Sequence, residues 1–465
     1  MQVLSTNIEE LQALIRQLLD ENAALKARVA ELEARLKADS HNSHQSPSAD
    51  GLRKRPALPR PAGRKRGGQH GHQGKTLEMV AHPDTTVACT PDVCRCGTSF
   101  RDVPGIVIER RQVFELPAPK LAITEYQRLR CQCPVCGHIQ EGQFPADVPA
   151  PTQYGAGVSA VTTLLNVAYA LPFKKIQGLF ADLYGYAITE RTLITANATC
   201  YEALAPSDER IKTQVRSSPV CHFDETGIRV EGRLHWQHTA STADTTSLFV
   251  HAHRGQRALS SHASLLPAYT GWAVHDCWAS YFLFPACRHA ICGAHLLREL
   301  TALIEDGSRW AKQMHTFLLT LYHVTDRGTE AVTYPQRWSA LYDALCHRAQ
   351  QEEPLPHRLS PKGKQKRTKG RNLLERLIRY KAAVLAFAFH AEVPFTNNQA
   401  ERDLRPVNVK QKIAGSFRTL LGAHHYARIY SFIATARKQH RPVFKELGHI
   451  FRGSSFLLEP VGCAK

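Results

Sequence analysis

Leucine recurs at every seventh position near the start of the chain, at Leu4, Leu11, Leu18, Leu25 and Leu32. Ile8, Ile15, Asn22, Val29 and Leu36 repeat with the same period in the companion position. A seven-residue apolar repeat keeps one stripe of a helix facing a partner helix, which neither a strand nor an irregular segment can do. Mostly β-branched residues at one position and Leu at the other predict a parallel two-stranded coiled coil over residues 1–39. Asn22 is the polar residue of the stripe; paired with its copy it favours the in-register dimer at some cost in stability. The expected consequence is a homodimer or higher oligomer joined through residues 4–36. The competing interpretation is an amphipathic helix packed on its own domain.

Composition shifts abruptly after this segment. Residues 40–80 are rich in Ser, His, Pro, Gly and Arg, carry Arg53-Lys54-Arg55 and Arg64-Lys65-Arg66, and show no apolar period. A basic disordered linker is expected there. The whole chain of 465 residues has 59 Lys and Arg against 41 Asp and Glu, a formal charge of +18. Such an excess, gathered in local runs, points to a polyanionic partner, and nucleic acid fits best. Met1-Gln2-Val3-Leu4 is followed by acids, unlike a secretory leader. The apolar run at 155–171 is broken by Ser, Thr and Asn, so no membrane partner is expected. Thirteen cysteines, an odd number, argue against a disulfide scaffold and for a reducing cytoplasm.

Six of the thirteen cysteines lie between Cys89 and Cys136. Cys133-Pro134-Val135-Cys136-Gly137 has the spacing of a zinc knuckle, and Cys94-Arg95-Cys96-Gly97 is a tighter candidate partner. A structural Zn²⁺ held by Cys94, Cys96, Cys133 and Cys136 is expected in a small domain over 81–150, with Cys89 or Cys131 as alternative ligands. Segments 106–116 and 121–130 read as a β-hairpin that would join the two knuckles. The next region, 151–215, reads as helical. A helix from Pro172 to Tyr184, a break at Gly185 and a helix capped by Thr189 resemble a helix-turn-helix, although ordinary helical hairpins share this pattern.

Acids carry the chemistry further on. Asp224 follows the short apolar run Val220-Cys221-His222-Phe223, with a turn expected at Gly227 and a strand from Arg229 to Thr239. Asp276 ends another such run, Trp272-Ala273-Val274-His275. Segments 244–251 and 290–292 read as further strands, and 255–266 as a helix between them. Glu401 stands three residues after Asn398, at the start of a helix that follows Pro394. That spacing also describes a capping box. The order of strands, helix and acids is that of a ribonuclease H-like core, in which carboxylates from distant sequence converge on divalent cations.

At these residues the chain resembles the insertion-sequence-66 family of DDE transposases. The resemblance rests on His222-Phe223-Asp224-Glu225-Thr226, on His275-Asp276-Cys277-Trp278-Ala279-Ser280-Tyr281, on Cys292-Gly293-Ala294-His295 and on Phe395-Thr396-Asn397-Asn398-Gln399-Ala400-Glu401-Arg402. It continues through Val407 to Lys412 and Gly415 to Thr419, and upstream includes Gly67 to His72 and the cysteine cluster. It implies Asp224, Asp276 and Glu401 as a catalytic, Mg²⁺-binding triad, with Mn²⁺ as a substitute. It also implies a supporting role for Cys292 and His295, DNA at the element ends and at the target as substrate, and companion proteins encoded by the same element.

The long stretch between Asp276 and Glu401 reads as a helical insertion at 301–391, with helices at 298–322, 336–348 and 372–389. The core would then comprise 216–300 and 392–425, followed by a helical tail at 426–465. The whole is expected to be a multidomain α+β and α/β protein. Arg402, Arg405, Lys410, Lys412 and Arg418 crowd the region after Glu401 and are expected to hold DNA phosphates. Two functions compete. One is a nucleoid-associated bacterial transposase that hydrolyses phosphodiesters at element ends and then transfers the freed strand. The other is a catalytically silent, dimeric, zinc-containing DNA-binding regulator derived from one.

Overall fold

The computed structural model describes residues 8–37, 77–355 and 367–453. The expected linker therefore falls largely outside the described residues, as do residues 362–366 of the basic run at 362–371. The chain divides into two units, Leu52–Glu125 and the remainder. Helix α1, Ile8–Lys37, spans most of the heptad segment. Ile15, Leu18, Leu25 and Val29 are all exposed on it, so these described positions of the apolar stripe are not spent on packing against other described residues. The side chains of Leu4, Leu11, Leu32, Ile8 and Leu36 lie outside the described set.

No hairpin forms over 106–130. Among the described residues, the strands of this region are β1, Arg130–Gln132, and β2, Ile139–Glu141, which pair antiparallel around the Cys133 turn. Ile106 and Ile108 are 92% and 97% exposed, so the alternating pattern has no buried face to reward strand pairing. Pro117 and Pro119 also remove two amide donors at the expected turn.

Helices α2 (Ala156–Val167), α3 (Phe173–Tyr184), α4 (Glu190–Ala203) and α5 (Ala205–Ser217) follow. The α3–α4 connection forms as its sequence predicts: Gly185 takes the left-handed conformation at φ 70°, and the Thr189 hydroxyl accepts from Thr192 N.

A central five-stranded mixed sheet comes next. Its strands are β3 (Val220–Val230), β4 (Arg233–Ser241), β5 (Thr246–His251), β6 (Trp272–His275) and β7 (Arg288–Ile291), in the order β5-β4-β3-β6-β7. The first three are antiparallel, whereas β6 and β7 run parallel to β3. Strand β3 passes through Gly227 without turning. The turn lies at Glu231 and Gly232, at φ 51° and 74°, while a Cβ at Gly227 would stand 3.2 Å from Leu234 Cδ1. Gly227 thus admits a close cross-strand neighbour. The helix expected over 255–266 shrinks to α6, Gln256–Leu259, and a 3₁₀ turn at Leu266–Ala268. Serines at 260, 261 and 264 compete for backbone groups there, with Ser261 Oγ donating to Ala258 O.

Helices α7 (Gly293–Glu305), α8 (Arg309–Val324), α9 (Pro335–Glu352), α10 (Lys369–Arg379) and α11 (Lys381–Phe389) occupy the long interval before Glu401. Two expected helices are each split in two. Gly307 at φ 89° and the Ser308 cap separate α7 from α8, and Tyr380, stacked on Phe282, separates α10 from α11. These helices share one apolar core with β6 and β7.

Helix α12, Asn398–Ala414, carries Glu401; α13, Leu420–Lys438, and α14, Val443–Phe451, follow. The segment expected as a tail is built into the core. Ser431 Oγ accepts from Leu248 N at 2.9 Å and Thr435 Oγ1 from Thr246 N at 3.1 Å, which fixes α13 against β5. No described helix is long and apolar enough to cross a membrane.

Candidate active site

Strand β3 pairs in parallel with β6 at His222↔Val274. Asp224 and Asp276 each lie two residues further along, Asp224 within β3 and Asp276 just past the end of β6. Asp276 follows β6 directly, and its Oδ1 accepts from Trp278 N at 3.0 Å. Asp224 Oδ1 accepts from Glu225 N at 2.9 Å. Glu401 enters from the first turn of α12, where the helix dipole favours an anion.

These acids feel one another. Burial, then the charges of Glu225, Asp276 and Glu401, push the Asp224 carboxyl well above the usual carboxylate range. Glu401 Oε1 is buried and, among the described residues, accepts no hydrogen bond; His295 Nε2 lies 3.9 Å from it. Among the described residues, however, no three His, Cys, Asp or Glu side chains close into a metal-binding group. The all-oxygen, like-charged donor set and the orphaned Glu401 oxygen suit a hard divalent cation.

The capping expectation needs correcting. Asn397, not Asn398, is the N-cap, and its side chain bonds to other elements instead of its own helix. Cys292 is fully buried, and burial pushes its thiol up to about 11. Its Sγ accepts from Asn397 N at 3.1 Å. Among the expected phosphate-binding cations, Arg402, Arg405, Lys412 and Arg418 are exposed. Lys410 turns inward: its Nζ donates to Asn166 O at 3.0 Å and sits over the Tyr426 ring, and burial lowers its pKa to about 8. That placement takes Lys410 out of the surface set.

Three groups at the site escaped sequence reasoning. Buried Glu225 accepts from Arg254 Nε at 2.7 Å and from the Tyr281 hydroxyl. Arg254 in turn lies over the rings of Trp278 and Trp236, at 4.4 and 5.0 Å. The Asp224-Glu225 pair was visible in the sequence, but nothing local indicated its distant partners.

The cysteine turns form separately, one in each unit. Cys94 N donates to Thr98 O and Gly97 N to Cys94 O, with Gly97 at φ 91°. Cys133 N donates to His138 O and Gly137 N to Cys133 O, with Gly137 at φ 74°. Hydrogen bonds from Thr98 lower the Cys96 thiol to about 7, and backbone donors near Cys136 lower Cys133. Turns of this kind favour thiolates.

The molecule is a mixed α/β one with a central mixed sheet, and Asp224, Asp276 and Glu401 are carried by two adjacent parallel strands and a late helix. Residues 151–425 match the Transposase IS66 family, and the chain belongs to that family. Membership implies DNA as partner and a nuclease or transferase type of chemistry. Residues 2–78 match a second family, DUF6444, of unknown function. No curated protein matches the chain.

Proposed function

We propose that this protein is an active insertion-sequence transposase with a ribonuclease H-like core, acting on DNA in the bacterial cytoplasm and nucleoid. Asp224, Asp276 and Glu401 are its catalytic acids. What supports the reading is that Asp224 on β3 feels the charges of Asp276, just past the adjacent parallel strand β6, and of Glu401 on α12. A bound pair of divalent cations, Mg²⁺ or Mn²⁺, supplies Lewis-acid stabilisation of the attacking and leaving oxygens of an in-line phosphoryl displacement.

The chain's own residues do the rest. The three carboxylates hold the cations, His295 orients Glu401, and Arg402, Arg405, Lys412 and Arg418 fix phosphates without reading sequence. Water attacks at the element end, and the freed 3′ hydroxyl then attacks target DNA. Helix α1 joins copies through its exposed stripe, and companion proteins of the same element act beside it. The cysteine turns would hold structural Zn²⁺, with Cys133 and Cys136 as thiolate ligands. Serine at Cys133 and Cys136 should lower the zinc content per chain; an unchanged content would reject these ligands.

A silent DNA-binding regulator would need the basic surface, α1 and the cysteine turns, but no acid cluster. That reading leaves the like-charged burial of Asp224 and the orphaned Glu401 oxygen without a purpose. Metal-dependent cleavage of DNA carrying the element ends separates the two.

A further inference from the structure

Asn397 is 1% exposed and makes three bonds, two to β3 and one to the start of α7. Its Nδ2 donates to Phe223 O at 2.9 Å, on β3 one residue before Asp224. Its Oδ1 lies 3.0 Å from His222 Nδ1, also on β3. Its backbone N donates to Cys292 Sγ at 3.1 Å, at the start of the helix that carries His295. One residue further into that helix, Gly293 N donates to Phe395 O at 2.7 Å. Gly293 is required there, since a Cβ would stand 2.2 Å from the Phe395 ring.

The bonds have a definite polarity. Asn397 Nδ2 donates to Phe223 O, so the other end of the amide, Oδ1, faces His222 Nδ1 as an acceptor. An imidazole facing a carbonyl oxygen donates from Nδ1. A helix N-cap normally spends its side chain on the second or third amide of its own helix. Asn397 gives up that role and spends both ends of its amide on β3.

We propose that Asn397 is a positioning residue for the acidic centre, clamping the start of α12 so that Glu401 meets the carboxylate of Asp224. Glu401 lies four residues, about one helical turn, beyond the clamp, and Asp224 lies one residue beyond the carbonyl it grips. The clamp sets the separation of two acids that lie far apart in the sequence. His222 completes it by holding Asn397 Oδ1, and Cys292 by holding its backbone amide. The inference rests on the reading of Asp224 and Glu401 as cation ligands.

Mn²⁺ binding to the full-length protein, followed by electron paramagnetic resonance in the absence of DNA, tests the clamp without requiring turnover. Asn397→Ser should weaken Mn²⁺ binding by roughly 10-fold or more, as loss of an outer-shell support does. Affinity for DNA should stay within about twofold, because the phosphate-binding surface is untouched. His222→Phe, which deletes one of the bonds, should weaken Mn²⁺ by a smaller factor. His222→Asn, whose amide reaches the place of Nδ1, should restore it. Unchanged Mn²⁺ affinity in Asn397→Ser overturns the proposal. If that variant does not fold, equal Mn²⁺ binding by His222→Phe and His222→Asn overturns it instead. Wild-type protein that binds Mn²⁺ but never cuts DNA contradicts the transposase activity and leaves the clamp standing.

Discussion

Glu401 Oε1 faces His295 Nε2 at 3.9 Å, and among the described residues this oxygen accepts no hydrogen bond. The two residues arrive from different helices, α12 and α7, so the approach is a tertiary feature. His295→Phe keeps a ring of similar size but removes the polar edge toward Glu401. The expected outcome is cleavage slowed by roughly 10–100-fold with DNA affinity unchanged, measured as a fall in kcat at constant KM.

Asp224 makes metal-free stability depend on pH in a definite direction. A carboxyl whose pKa is raised by folding favours the folded state while protonated. That contribution is complete below about pH 4 and is lost as pH rises through the raised value. Asp224 is raised by burial first and like charges second. Asp224→Asn should therefore melt above wild type at neutral pH, by about 2–4 °C, with the gap vanishing in acid. His222 and His238, lowered to about 4 by burial, lose stability as pH falls below about 6.5 in both proteins, so the difference isolates Asp224. Added Mg²⁺ should raise the wild-type melting temperature more than that of the variant.

Much of the acidic centre was legible in the sequence, because acids at the ends of short apolar runs mark strand ends whatever the surroundings. Asp276 sits directly after its strand as that logic predicts, whereas Asp224 lies within a longer one because Gly227 continues it. What could not be read were the partners fixed by tertiary contacts. Asn397 and Asn398 are equivalent as cap formers by local rules, and only the approach of Phe223 O distinguishes them. Lys410 reads as one more surface cation until Asn166 O and Tyr426 surround it. The alternation over 106–130 failed for the opposite reason: an apolar pattern specifies a strand only where one face is buried.

Lys438 and Asp403 form a half-hidden pair at 2.7 Å, joining α13 to the helix that bears Glu401. Ser241 and Thr246 hydroxyls also donate to Asp403 Oδ2. Lys438→Met strands that carboxylate and should destabilise the protein by about 3–5 kcal/mol, read by denaturant unfolding. Adding Asp403→Asn should recover part of the loss, because the stranded charge is then gone.

The exposed stripe of α1 yields a prediction about assembly. Lys at Leu11, Leu18 and Leu25 places charge along the expected seam. Light scattering should then report the mass of a single chain, where wild type reports at least two. A variant that keeps the wild-type mass would remove α1 from the interface.

The central claim is that three acids make this chain a DNA-cutting enzyme, and Glu401 is the acid farthest in sequence from the others. Cleavage at the 3′ ends of DNA carrying the element termini, with Mg²⁺ or Mn²⁺, should be compared between wild type and Glu401→Gln. The expected result is metal-dependent cutting by wild type and background cutting by the variant, with equal DNA binding by both. Equal cutting by both, or binding without cutting by wild type supplied with its companion proteins, would contradict the account.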